Sequence, residues 1–274
     1  MMTRKLILIE GLPGSGKSTV AKMVSEILIE QGKKVQLFQE GNLEHLADYE
    51  GVSFYYAGDF EALLKTHEKY IEVLESNATA HDQGFLIPYR KMKEQWGIEL
   101  PDHIVKDIFS RDIYEIPFEQ NVKLITEKWQ DSTQNVLSTN DDCITIFECC
   151  FIQNPLTMGL VKCNQSKEQN VQYVLELGRI IHALNPLLIY IDQKDISYTF
   201  DKAVSERPKD GLKVLLTTIR IRVWGKQRVI RVLRVRYGFC RKERSWSPKS
   251  MGYFNWIRYG WIIRIMTARL VGTS

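Results

Sequence analysis

The sequence predicts an α/β fold, a three-layer αβα arrangement around a parallel sheet, and three observations carry that prediction. The short apolar run Lys5-Leu6-Ile7-Leu8-Ile9 has the composition of a strand buried on both faces. Directly after it, Glu10-Gly11-Leu12-Pro13-Gly14-Ser15-Gly16-Lys17-Ser18-Thr19 fits the pattern G-x-x-x-x-G-K-[ST]. From Ser18 to Gln31, apolar residues recur at Val20, Met23, Val24, Ile27 and Leu28, which is a helical spacing. Strand, glycine loop and helix in that order are what phosphate binding needs. The glycines let backbone N–H groups turn inward as an anion nest, and the helix N-terminus adds its partial positive charge. Residues Gly11 to Thr19 are therefore expected to cradle a nucleoside triphosphate, with ATP as the cofactor. Lys17 would reach the β- and γ-phosphates, and Ser18 would ligate Mg²⁺ through its hydroxyl.

The average composition hides a break near Lys209. Of the 37 Lys+Arg and 33 Asp+Glu in the chain, 15 and two fall within 210–274, leaving 22 and 31 for 1–209. The first segment is thus net −9 and the second net +13. Residue usage changes as well. The tail has 11 Arg to 4 Lys and four of the six tryptophans, whereas 1–209 has 5 Arg to 17 Lys. The division predicted is a nucleotide-binding, kinase-like domain over 1–209 and a basic tail over 210–274.

No apolar run reaches about 18 residues, so no transmembrane helix and no membrane partner are expected. Met1 to Lys5 leads straight into the first strand without a signal peptide. The five cysteines, Cys143, Cys149, Cys150, Cys163 and Cys240, have no paired C-x-x-C spacing, which argues for reduced cytoplasmic thiols over a zinc site.

Lys34 to Gln39 reads as a second strand leading into Glu40. A carboxylate at the C-terminal end of a parallel strand faces the ligand crevice, where Glu40 would serve as a general base; a solvated loop glutamate is the alternative. Residues 52–140 read as a helical insertion between strands two and three, a substrate cap rich in aromatics, with its clearest helix at Glu119 to Leu137. Most of those aromatics suit a core. Tyr89-Arg90-Lys91 and Arg111 are its candidate contacts for an anionic substrate, or else solvated charges.

Cys143 to Glu148 is a third strand ending in an acid, the form of a Walker B strand, so Glu148 is expected behind the Mg²⁺. Ser166 and Gln169 stand at capping-box spacing before a stripe of Val174, Leu177, Ile181 and Leu184. Asn185-Pro186 ends that helix, and Leu187 to Asp192 forms strand four. A further helix is expected from about Ile196 to Glu206, ahead of Arg207.

Taken together, the P-loop, Phe38-Gln39-Glu40, Phe147-Glu148, the run from Asn185 to Asp192 and Glu206-Arg207 resemble the thymidylate kinase and deoxynucleoside kinase branch of P-loop kinases. The resemblance implies that Glu40 acts on the substrate hydroxyl and that Arg207 opens an arginine-bearing lid. It also implies a fifth strand, from the segment after the lid, beside strand four. Where that family ends strand three in Asp-Arg, this chain has Glu148-Cys149, so the substrate-binding arginine is missing.

Three readings of the tail stand side by side. Ile219 to Val223 and Val232 to Arg236 alternate apolar and basic residues, with Trp224, Tyr237, Phe239 and Trp246 interleaved, as in a nucleic-acid-binding extension. A basic membrane-surface segment is the second reading. The third is out-of-frame translation after Lys209. Val229 to Trp246, back-translated and read one base earlier, gives G-Y-K-G-F-E-G-T-V-W-V-L-Q-K-G-K-K-L with permitted codons, a lysine-rich segment like the first 209 residues.

The resulting expectation is an ATP- and Mg²⁺-dependent kinase with Lys17, Glu40, Glu148 and Arg207 in catalysis and an unidentified small-molecule acceptor. A P-loop ATPase or regulatory nucleotide-binding module without an acceptor is the alternative, and an inactive product of a frameshifted gene is a third. Nucleic acid is a partner only if the basic tail is genuine.

Overall fold

The structure is a computed structural model that describes residues 5–139, 142–192 and 262–267, the last of these as backbone only. The chain divides into two compact units, Met1–Glu40 with Thr133–Ser274, and Gly41–Ser132.

The first unit is built on a parallel sheet. Its strands are β1 (Leu6–Gly11), β2 (Val35–Phe38), β6 (Ile144–Glu148), β7 (Leu187–Asp192) and β8 (Ile262–Thr267), in the spatial order β2-β6-β1-β7-β8. Every neighbouring pair is parallel, with Leu8 opposite both Phe147 and Leu188. All six residues of β1 are buried, as a central strand covered on both faces requires. On one face, α1 (Lys17–Glu30) packs through Ala21, Val20, Val24 and Leu28 against Ile7, Ile9, Ile146, Ile189 and Ile191. Strand residues alternate between faces, so Leu6, Leu8, Phe147 and Leu188 serve the opposite side. Helix α8 (Lys167–Ile181) buries Tyr173, Val174, Leu177 and Ile181. Its start is the capping box expected from Ser166 and Gln169, and Asn185, at φ 49°, turns the chain from it towards β7.

The second unit overlaps the helical insertion expected over 52–140 and holds strands as well as helices. Its helices are α2 (Ala57–Thr66), α3 (Ile71–Asn77), α4 (Tyr89–Glu94) and α5 (Asp102–Phe109), and it also contains an antiparallel sheet. The strands β3 (Ser53–Tyr56), β4 (Thr79–His81) and β5 (Gly84–Ile87) pair in the order β3-β5-β4. Strands of three or four residues are too short for an alternating pattern to announce them. Its core gathers Tyr55, Phe60, Leu63, Leu74, Ile87, Met92, Ile104 and Ile108. Helix α6 (Phe118–Ser138) follows α5 in the chain, and its Trp129 is fully buried.

Of the insertion's aromatics, Phe54, Tyr55, Phe60, Phe118 and Trp129 are buried and Tyr70, Phe85 and Tyr89 pack partly buried against a core cluster, whereas Tyr56, Trp96 and Phe109 are exposed. The basic residues noted there are committed to ion pairs: Arg90 with Glu94 and Glu50, Lys91 with Glu44, and Arg111 with Asp59. The four described cysteines are unbridged. Among the described residues, no helix is long and apolar enough to cross a membrane. The helix expected from Ile196 to Glu206, Arg207 and the alternating segments of the basic tail lie outside the described residues.

Candidate functional site

The site forms where β1 gives way to α1. At Gly11 a side chain would collide, since a Cβ there would lie 2.8 Å from Ser15 Oγ and 2.9 Å from the Ile191 carbonyl oxygen. Gly14 and Gly16 adopt φ 77° and 87°, a region glycine enters without steric cost. Between them, the Ser15 N–H donates to the Leu12 carbonyl at 3.1 Å and closes the loop. Helix α1 starts at Gly16 with neither a side-chain cap nor an acidic residue in its first turn. Its N-terminal amides and dipole are thereby left to serve an external anion.

Lys17 and Ser18 open α1 and turn to different partners. The buried Lys17 ammonium donates to the Leu12 carbonyl at 2.9 Å and to Gln153 Oε1 at 2.8 Å. Ser18 Oγ donates to Glu148 Oε1 at 2.7 Å, and Gln39 Nε2 reaches Glu148 Oε2 at 3.4 Å. Glu148 is the last residue of β6, buried and in register with Ile9, so the sheet itself carries this carboxylate to the end of the loop. A serine hydroxyl beside a carboxylate is a hard-oxygen donor set, which fits Mg²⁺.

Glu40 follows β2 by two residues and is exposed. It accepts a hydrogen bond from Cys149 Sγ at 3.3 Å. Donor atoms of Glu40, Glu148 and Cys149 all lie within 4.8 Å of one another. Burial, with the Glu40 carboxylate adding to it, pushes the Cys149 thiol well above its ordinary range. The sulfur therefore stays protonated and donates to Glu40. Cys149 sits at φ 70°, rare for a residue with a side chain, at the start of the turn into α7 (Gln153–Leu156).

That turn is held from beneath. Glu10, the penultimate residue of β1 and almost wholly buried, accepts the Phe151 N–H at 2.8 Å and the Gln153 N–H at 3.0 Å. Burial pushes its carboxyl up to about 7, against the pull of those amides and of Lys17.

Lys17, Ser18, Glu148 and Glu40, all named from the sequence, thus converge within one unit. The sequence marked Cys149 only as standing where the resembled family has arginine, and it assigned no role to Gln39, Gln153 or Glu10. Glu10 did leave a signal, because it is a charge closing an otherwise apolar strand. Gln153 left none, since nothing in its neighbours marks a glutamine that meets a lysine so far away in the chain.

Residues 4–55 match the family model described as chromatin associated protein KTI12, a stretch that holds β1, the glycine loop, α1, β2 and Glu40. With the loop geometry, this match supports the P-loop NTPase superfamily. A nucleotide-binding P-loop protein is accordingly the level of function that match and geometry share. The model matched is not that of the thymidylate and deoxynucleoside kinase branch. No curated protein sequence matches the chain. Among solved structures, the crystal structure of APE1195 is similar over 79% of this chain and 76% of that chain, at 13% identity and a TM-score of 0.34, too distant to bear on fold or function.

Proposed function

We propose that this P-loop protein binds ATP with Mg²⁺ and transfers the γ-phosphoryl group to the hydroxyl or phosphate of a small molecule. The observation that carries the proposal is the corner formed by Ser18 Oγ and Glu148 Oε1, 2.7 Å apart, with the Glu40 carboxylate within 4.8 Å of Glu148. Nucleotide binding alone needs only the loop and Lys17. A second carboxylate beside that corner is what an acceptor needs.

The glycine loop and the α1 amides would hold the β- and γ-phosphates, with Lys17 adding the charge that balances them. Ser18 and Glu148 would hold Mg²⁺, which neutralises charge developing on the phosphate oxygens. For an alcohol acceptor, its oxygen attacks the γ-phosphorus while the bond to the β–γ bridging oxygen breaks. ADP then leaves and the hydroxyl proton passes to Glu40. Catalysis of this kind rests on positioning and electrostatics, which suits a site assembled from strand ends. Arg207, in the lid that the kinase resemblance implies, would add positive charge at the transferring group.

The family match supports a second reading from another class. It covers 4–55, which includes the glycine loop and α1, and is equally compatible with a P-loop ATPase or regulatory module without an acceptor. A thermal-shift screen of nucleosides, nucleotides and aminoglycoside-like alcohols, run with an ATP analogue present, selects acceptor candidates. ADP release that rises with one of them establishes the kinase. Slow hydrolysis insensitive to all of them, with partner binding that depends on nucleotide, establishes the module.

A further inference from the structure

The proposed site does not use a chain of contacts that runs from the interior of the sheet to Lys17. Glu10 is 1% exposed and lies at the end of β1, yet both its oxygens are engaged by backbone N–H groups of one turn, Phe151 at 2.8 Å and Gln153 at 3.0 Å. A charge is costly in such a place unless its hydrogen bonds are made. Those bonds fix the backbone of Gln153, whose side-chain oxygen meets the Lys17 ammonium at 2.8 Å. With the Leu12 carbonyl, that contact takes two of the three donors of a lysine ammonium.

We infer that Glu10 and Gln153 are positioning residues for the phosphate site: Glu10 clamps the turn after β6, and Gln153, so placed, holds the Lys17 ammonium with its remaining donor for a phosphate oxygen. The inference rests on the reading of Lys17 as a phosphate ligand. Glu10 acts chiefly through Gln153, beside a direct electrostatic pull on Lys17, and Gln153 acts through Lys17. Because Glu10 accepts both amides best as a carboxylate, the clamp tightens as Glu10 loses its proton. The charged and titratable groups around Glu10 are Lys17 from α1, Cys149 from the turn after β6, and Tyr190, which stands opposite Glu10 on β7.

The test measures ATP–Mg²⁺ affinity by calorimetry on the full-length chain for wild type, Gln153→Ala, Glu10→Gln and the double variant, from pH 6 to 8.5. Gln153→Ala should weaken ATP roughly 10-fold or more, the worth of one hydrogen bond to a charged group. Glu10→Gln should weaken it comparably above pH 7 and have much the smaller effect in the Gln153→Ala background, where only its direct pull on Lys17 remains. The ratio of wild-type to Glu10→Gln affinity should shrink below pH 7, a comparison in which the titration of ATP itself cancels. Unchanged ATP affinity in Gln153→Ala overturns the inference, as does a Glu10→Gln effect that persists in full in the double variant. Gln153 is partly exposed in its turn, so its variant decides the matter even if Glu10→Gln fails to fold. If wild-type protein does not bind ATP at all, the phosphate-site reading fails, which is distinguishable from failure of the clamp alone.

Discussion

Lys17 and Glu10 are two buried charges, and their fates under mutation should differ. Lys17 makes hydrogen bonds to Leu12 and Gln153 but serves chiefly as charge at the phosphates. Lys17→Ala should therefore abolish ATP binding while the far-ultraviolet circular dichroism stays that of the folded protein; unchanged ATP affinity would refute the phosphate assignment. Glu10 instead carries a stability cost set by pH. Its carboxyl is raised from an ordinary 4.5 to about 7, so between those values the folded state holds a proton that the unfolded chain has released. Stability from this group is greatest below about 4.5 and falls as pH rises through 7, by about 3 kcal/mol in all. Denaturation midpoints should show that downward slope, and Glu10→Gln should flatten it; an equal slope in both proteins would show that Glu10 titrates normally. The same deprotonation that costs stability strengthens the hold on Gln153. Glu40→Gln and Glu148→Gln should each spare ATP binding yet slow phosphoryl transfer by roughly 10²-fold or more once an acceptor is found. Wild-type turnover in Glu40→Gln would make Glu40 structural. Lys17, Ser18 and Glu148 were legible because local chemistry marks them, whereas Gln153 acquires meaning only from β6 lying beside β1.

Helix α8 shows local sequence acting without help from the rest of the fold. Ser166 Oγ accepts the Gln169 N–H at 3.2 Å while Gln169 Oε1 accepts the Ser166 N–H at 3.0 Å, as the spacing of the two residues predicts. Ser166→Ala should cost about 1 kcal/mol, a fall of about 2–4 °C in melting temperature for a chain of this size. No fall at all would mean that packing of the buried stripe fixes the start of α8 without its cap. Strand β1 and helix α1 were equally legible, since their apolar spacing persists over enough residues to declare a period. The sheet of the second unit was not. Thr79–His81 is three residues long and pairs with Gly84–Ile87, so neither strand has room for a repeat, and flanking helices dominate the pattern. Nor does any single strand encode the order β2-β6-β1-β7-β8, which arises from connections over the sheet.

The last question is what completes the sheet. Its strands are all parallel, and β7 is an apolar strand that needs a neighbour on the side away from β1. β8 fills that place, with Leu187 opposite Ile262 and Asp192 opposite Thr267, where the kinase resemblance expects a fifth strand. It comes from the segment that is net +13 while the remainder is net −9. Removing 210–274 therefore exposes a long, apolar edge on β7, which invites edge-to-edge association. The truncated chain should lose soluble yield and elute as aggregate by size-exclusion chromatography. A monodisperse, equally stable truncation would mean that β7 tolerates an open edge. The out-of-frame reading makes a further, opposite demand. If the codons after Lys209 are shifted by one base, restoring the frame should supply a fifth strand matched to β7 and raise both soluble yield and melting temperature above those of the present chain. Resequencing the coding region at Lys209 is the direct check. Should the sequence stand as written, and should deleting 210–274 abolish a salt-dependent affinity for DNA or RNA, the out-of-frame reading falls and the tail is a nucleic-acid-binding extension.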